Sequence, residues 1–210
     1  MNRCPSRVEG ALAKRVLRYG MVQPIHADSV EIRPLRRREY ERLVELGEFE
    51  RERVELVRGA IVRMSPSGSR HAEAVARLLR ILVTSVGDRA VMRAQSPLAI
   101  ADDSEPEPDL ALVPPGDYSD AHPREALLVV EVADTSLDYD RLDKARLYAE
   151  AGAKEYWIVN LADDAIEVHR GAREDGRWTE IAIAGAGESV VPVAFPDIIV
   201  GVDDIVPWRG

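Results

Sequence analysis

Cysteine is all but missing from this chain of 210 residues. The single Cys4 has no second cysteine with which to close an internal disulfide or to build a zinc site of the usual spacing, so a disulfide scaffold and thiol redox chemistry are set aside. Long apolar runs are lacking as well. No stretch approaches the roughly 18 apolar residues a membrane helix requires, and the N-terminus, MNRCPSRVEGALAKRVLRYG, has no apolar signal-peptide core. The expected setting is the cytoplasm, with no membrane association. Lysine is scarce: of 28 basic residues only Lys14, Lys144 and Lys154 are lysines. A biased genome makes that preference without functional cause, so the scarcity only directs attention to those three. No zinc finger, helix-turn-helix, internal repeat or low-complexity linker is visible.

What is present is the balance of one soluble globular domain, 46% apolar and 31% charged. The net charge of −9 argues at first against a nucleic-acid partner, because phosphate binding leaves a basic footprint. The average hides a split: residues 1–70 hold 15 basic against 10 acidic residues, or +5, and residues 71–210 hold 13 against 27, or −14. A basic face is expected from Arg36, Arg37, Arg38, Arg42, Arg51, Arg53 and Arg58; the alternative is a solvated helix surface. Residues 1–33 show no periodicity and read as an N-terminal extension, with Met21 a second candidate start. Residues 34–210 read as one domain.

Within that domain the spacing predicts a short amphipathic helix from Pro34 to Leu46, closed by Gly47, and two strands across Glu52 to Met64 around the turn Arg58-Gly59. Ser69 is a fair N-cap for a helix to about Ser85 with Ala72, Val75, Ala76, Leu78, Leu79 and Leu82 on its apolar face. Strands are expected at Ala90–Ile100, Pro108–Val113 and Ala126–Ala133, then a helix from Leu137 to Ala151 ending at Gly152 and a strand over Glu155–Asn160. The last three make a strand-helix-strand unit. Further strands are expected at Ala165–Arg170, Trp178–Ala184 and near Val190.

Glu131 is the most informative residue. It interrupts the apolar run LLVVEVA, where an unpaired buried carboxylate loses several kcal/mol of hydration. Alternation puts Leu127, Val129 and Glu131 on one strand face, which either opens into a cleft at the strand end or lies in solvent beside an arginine. Asp109, behind Pro108, is either a turn residue or, if its strand pairs with that of Glu131, the second of two converging hard oxygen donors of the kind Mg²⁺ prefers. Lys144 lies 13 positions past Glu131 on the following helix. It either returns an ammonium to the sheet end, where it would stabilise charge on a scissile phosphate, or forms a surface pair with Asp140.

Together P-D-x(21)-E-V-A and the helical lysine resemble the PD-(D/E)XK nuclease signature in its migrated-lysine form, with Ala133 where the standard motif has lysine. The segments YERLVELGEFERERVELVRGAIVRMSPSGSRH, EPDLALV, LLVVEVADTSLDYDRLDKARLYAEAG and EYWIVN resemble, more specifically, the Uma-type restriction endonuclease family, over roughly Leu35 to Val206. The resemblance implies an α/β, restriction-endonuclease-like fold: a mixed β-sheet flanked by helices in a single domain. It places Asp109, Glu131 and Lys144 at catalytic positions, adds Glu55 as a further acid that serves either a second metal or an ordered water or else a hairpin salt bridge, and matches His71 to the family's histidine, which is either structural or in contact with phosphate. Gln95 and Tyr148 would line the cleft, or Tyr148 instead packs helix against sheet. The implied activity is DNA phosphodiester hydrolysis with Mg²⁺, for which Mn²⁺ would substitute, bound by Asp109, Glu131 and the Val132 carbonyl, while Lys144 positions or deprotonates the water. A homodimer is expected by analogy with two-strand cutting, and no dedicated protein partner is marked. The alternatives are a catalytically silent interaction protein on the same fold and a hydrolase of a smaller phosphoester. DNA specificity would fall to loops such as Asp102–Pro108 and Pro114–Glu125.

Overall fold

The computed structural model describes residues 33–206, so the N-terminal extension and the Met21 start lie outside the described residues. Six strands form the central sheet in the order β3-β4-β5-β6-β7-β8: β3 Val91–Ala94, β4 Leu110–Val113, β5 Leu128–Ala133, β6 Glu155–Asn160, β7 Ala165–Ala172 and β8 Trp178–Ala184. Only β5 and β6 run parallel, because the helical crossover between them returns the chain to the same sheet end. The other neighbours are antiparallel, which makes the sheet mixed, as expected.

β5 is buried along its whole length and separates two cores. Leu128, Val130 and Val132 face a core shared with helix α2 (Ser69–Val86), whereas Val129 and Ala133 face a second core that includes Ala145 and Tyr148. Glu131 therefore points to the second side, by simple alternation. Leu127 does not share that face, since it lies before the strand and packs against the first core. The apolar stripe of α2 is Ala74, Val75, Leu78, Leu82 and Val86; Ala72 and Ala76 are exposed. Gly68 takes the N-cap place, which makes Ser69 the first helical residue.

Helix α1 (Arg37–Glu45) and the hairpin of β1 (Val54–Val57) with β2 (Ala60–Arg63) form a small unit with its own core of Tyr40, Val54 and Leu56. The Tyr40 hydroxyl donates to the Val54 carbonyl at 2.9 Å. The two-residue turn places Arg58 and Gly59 at φ 51° and 74°, the left-handed pair a tight hairpin needs. The acidic loop expected to be free for DNA is partly tied to this unit. Arg37 N–H donates to the Asp102 carbonyl at 2.6 Å, Gly59 N–H to that of Asp103 at 2.7 Å, and Leu56 pairs with Glu105.

One strand expectation shrinks and one helix expectation changes form. Of Ala90–Ile100 only Val91–Ala94 pairs, because Gln95 adopts φ 45° and turns the chain away. The helix expected over 137–151 is not a regular α-helix: α3 (Leu137–Tyr139) runs into a π-helical turn at Asp140–Lys144 before α4 (Ala145–Glu150). A short β9 (Ser189–Val190), near the expected position, pairs with β10 (Val200–Gly201), and α5 (Val202–Ile205) then packs on α2.

Candidate active site

The β4·β5 register pairs Leu110 with Val130, so one further step sets Asp109 beside Glu131. Two hydrogen bonds confirm the convergence: Asp109 N–H donates to Glu131 Oε2 at 3.3 Å, and Val132 N–H donates to Asp109 Oδ2 at 2.8 Å. Pro108 precedes this step and cannot donate, which ends the ladder there and leaves the carboxylates at the sheet's end.

Lys144 comes down on these acids from the π-helical turn. Its Nζ stands 2.6 Å from Glu55 Oε2 and 3.1 Å from Glu131 Oε1. It is thus no surface partner of Asp140 but 3% exposed and enclosed by two carboxylates. Tyr148 donates its hydroxyl to Glu131 Oε1 at 2.8 Å, and Tyr139 donates to Glu55 Oε1 at 3.4 Å. Glu55 Oε2 also accepts Glu107 N–H at 3.1 Å. The hairpin therefore delivers Glu55 to the same spot as Glu131 and Lys144. His71, in the first turn of α2, lies 3.0 Å from Asp109 Oδ1 through Nε2 and hydrogen-bonds the Val132 backbone.

Electrostatics follow from burial. Desolvation pushes the Glu131 carboxyl up to about 8, against the pull of Lys144 and with the push of Asp109, Asp140 and Glu55. Asp140, 4% exposed and held by Ser136 Oγ at 2.6 Å, is pushed up to about 6 by burial. Burial alone would lower the Lys144 pKa, but Glu131 and Glu55 outweigh it and hold the ammonium above the ordinary lysine range. The hydrogen bond to Asp109 raises His71, opposed by its own burial.

Four carboxyl groups, Glu55, Asp109, Glu131 and Asp140, crowd around one ammonium, and their mutual push on Glu131 and Asp140 is what a divalent cation would relieve. The donors are hard oxygens, as Mg²⁺ and Mn²⁺ demand. Among the described residues no group of three or more His, Cys, Asp and Glu side chains is arranged to hold a metal alone. A cation would therefore draw on Asp109, Glu131, a backbone carbonyl such as that of Val132, and water.

The remaining expectations divide. Gln95 lies next to the site, its N–H on the Asp109 carbonyl at 3.0 Å and its side chain exposed. Tyr148 is fully buried and packs helix to sheet while holding Glu131. The arginines of the first third are largely neutralised: Arg37, Arg42, Arg53, Arg58 and Arg63 pair with Glu41, Glu45, Glu107, Glu150 and Glu52. Tyr139, Asp140 and Tyr156 were not singled out from the sequence. Their available signal was polar side chains on a face otherwise read as core.

A mixed sheet with two acids on adjacent strands at its end and a lysine from the crossover helix defines a restriction-endonuclease-like α/β domain. A crystal structure from Anabaena variabilis, described as "a putative nuclease belonging to DUF820", has the same fold, with a TM-score of 0.64 over 82% of this chain and 98% of that one at 14% identity. The family model Uma2, "Putative restriction endonuclease", matches residues 37–203, and the chain belongs to that family. Among curated proteins none matches. No helix among the described residues is long and apolar enough to cross a membrane.

Proposed function

We propose that the protein hydrolyses phosphodiester bonds in DNA with the help of a divalent cation, Mg²⁺ or in its place Mn²⁺. One observation carries this reading: Asp109, Glu131 and Lys144 meet at one end of the sheet, with Glu55 closing the group. Asp109 and Glu131, with the Val132 carbonyl, would hold the cation. When bound, the cation supplies Lewis acidity toward a phosphoryl oxygen and water.

The residues have separate tasks. Lys144, held above the ordinary lysine range by its two carboxylates, stays protonated at neutral pH. It orients water and stabilises phosphate charge rather than taking a proton. Glu55 and Tyr148 fix the ammonium and Glu131 in place. His71, at the start of α2, stands where it can meet a substrate phosphate, and Gln95 lies at the rim. In the reaction a water oxygen bonds to phosphorus as one ester P–O bond breaks; the water loses a proton to solvent and the leaving oxygen gains one. A homodimer in the cytoplasm would supply two such sites for the two strands of a duplex.

The experiment is cleavage of plasmid, linear and single-stranded DNA with Mn²⁺ by wild type and Asp109→Ala. Loss of cleavage by about a hundredfold or more in the variant is expected, the scale of a lost transition-state contact. Equal cleavage by both proteins would sink the reading. A catalytically silent binding protein is favoured by the net charge of −9 and the paired arginines. For that alternative, cation binding would not depend on Glu131.

A further inference from the structure

We infer that Tyr156 is a positioning residue, whose hydroxyl holds open the π-helical turn that delivers the Lys144 ammonium to Glu55 and Glu131. The inference rests on the proposed role of Lys144. In an uninterrupted α-helix the Lys144 N–H would close on the Asp140 carbonyl, four residues back. Instead the Ala145 N–H takes that carbonyl, five residues back, and the Tyr156 hydroxyl donates to the same oxygen at 3.1 Å. A carbonyl oxygen has two lone pairs, so both bonds are satisfied at once.

The wider turn changes which side chains share a face. Closure over five residues stacks Tyr139 under Lys144, and the α-helix that follows stacks Tyr148 over it. Both rings flank the ammonium, their centroids 5.9 Å from Nζ. Their hydroxyls reach Glu55 and Glu131 respectively. Taking one residue out of a helix rotates all that follows by about 100°, so with a regular turn Lys144 and Tyr148 would not both lie above the acids while Tyr139 stays on Glu55. Turns of this kind are rare and need something to hold them.

Tyr156 suits that task. It is fully buried on β6, its ring fixed against Tyr148 at 5.0 Å, His169 at 5.5 Å and Trp178 at 6.2 Å. A phenylalanine would fill the same space, and the hydroxyl's hydrogen bond goes to the turn. Ser136 fixes the front of the turn by its bond to the Asp140 carboxylate, and Tyr156 fixes it at the carbonyl.

The test uses the full chain and needs no activity. Lysines are acetylated with an activated acetate ester and read by mass spectrometry, with exposed Lys154 as the reference for shielded Lys144. In Tyr156→Phe the Lys144-to-Lys154 ratio is expected to rise about tenfold well below the melting temperature, the shift that one lost buried hydrogen bond gives. A second variant deletes Leu142, which is 69% exposed, and so removes the extra residue of the turn. It is expected to unshield Lys144 as well, and Tyr156→Phe added to it is expected to do nothing more. A general packing role for Tyr156 would make the two changes add. Shielding of Lys144 unchanged in Tyr156→Phe, or additivity, overturns the inference. Unshielding with DNA cleavage intact supports the positioning and counts against Lys144 as part of the nuclease.

Discussion

Lys144 Nζ and Glu55 Oε2 lie 2.6 Å apart, joining residues 89 positions apart in the chain, and both are almost fully buried. The same ammonium serves Glu131 at 3.1 Å. Removing it would strand two buried carboxylates, a loss that costs about 3–5 kcal/mol when one partner of a buried pair is deleted. Lys144→Met should therefore lower stability by roughly that amount in urea unfolding. Adding Glu131→Gln should recover part of the loss, because the buried Glu131 carboxyl must take up a proton on folding at neutral pH and a glutamine need not. If the double variant is less stable than Lys144→Met by the full effect of Glu131→Gln alone, the two residues are not coupled and the burial argument fails.

A cation that binds the folded site and not the unfolded chain stabilises by mass action, about 2.7 kcal/mol at a hundred times its dissociation constant. For a chain of this length that is a rise of roughly 5–10 °C in melting temperature. Mn²⁺ should produce such a rise in wild type, and neither Asp109→Ala nor Glu131→Ala should show it. Ca²⁺ at the same concentration separates binding from hydrolysis. A rise that survives Glu131→Ala would place the cation elsewhere.

The contrast between Glu131 and Lys144 shows what could be read in the sequence. Glu131 stands out because a charge inside LLVVEVA must either end its strand in solvent or find partners, and the full burial of β5 decides for the partners. The strands Glu155–Asn160 and Trp178–Ala184 were legible for the related reason that apolar or alternating runs ended at clear turn residues. Lys144 was placed on a helix but not in its true turn, since the π-helical bond pattern depends on a hydroxyl from β6 that no local propensity records. Glu55 and His71 entered through the family resemblance alone, because their approach to the acids is a matter of how hairpin and α2 pack. The basic face is only partly legible: of its seven arginines Arg37, Arg42, Arg53 and Arg58 have a carboxylate within reach, a pairing that a count of charges along the chain does not record.

Stability should fall on both sides of a neutral optimum, through two groups away from Asp109 and Glu131. His169 is 3% exposed and neither ring nitrogen has a hydrogen-bond partner, so burial lowers its pKa below the ordinary histidine value of 6.5. Its folded pKa being the lower, the unfolded chain binds more protons, and the stability it contributes is present above 6.5 and is lost as pH falls through the depressed value. Glu105 is the opposite case: burial first, and Glu41 next, push it up to about 7, against the pull of the Arg37 guanidinium 3.9 Å from its Oε2. Its contribution is present below 4.5 and is lost as pH rises through about 7. Urea midpoints measured across pH 4–9 should lose their acid slope in His169→Phe and part of their alkaline slope in Glu105→Gln. An unchanged profile in either variant would refute that half of the account.

The hairpin turn offers a test of Glu55 that leaves every polar group of the site intact. Gly59 adopts φ 74°, and a Cβ there would lie 2.2 Å from Pro34 Cβ and 2.9 Å from the Leu35 nitrogen. Those neighbours belong to the chain entering α1, and Leu35 N–H is itself bonded to the Gly59 carbonyl at 3.0 Å, so neither can retreat without breaking that contact. Gly59→Ala thus combines left-handed strain of about 1 kcal/mol with a backbone clash that must move β1 relative to α1. Because Glu55 sits on β1 opposite Val62, the displacement should reach the Lys144 contact. The expected result is a folded protein, destabilised by roughly 2–3 kcal/mol as for an overpacked site, with reduced DNA cleavage but Mn²⁺ binding retained, since Glu131 lies on β5 and Asp109 at the edge of β4. Cleavage at the wild-type rate in a protein that shows the full stability loss would mean that Glu55 is dispensable for the reaction and serves only to neutralise Lys144.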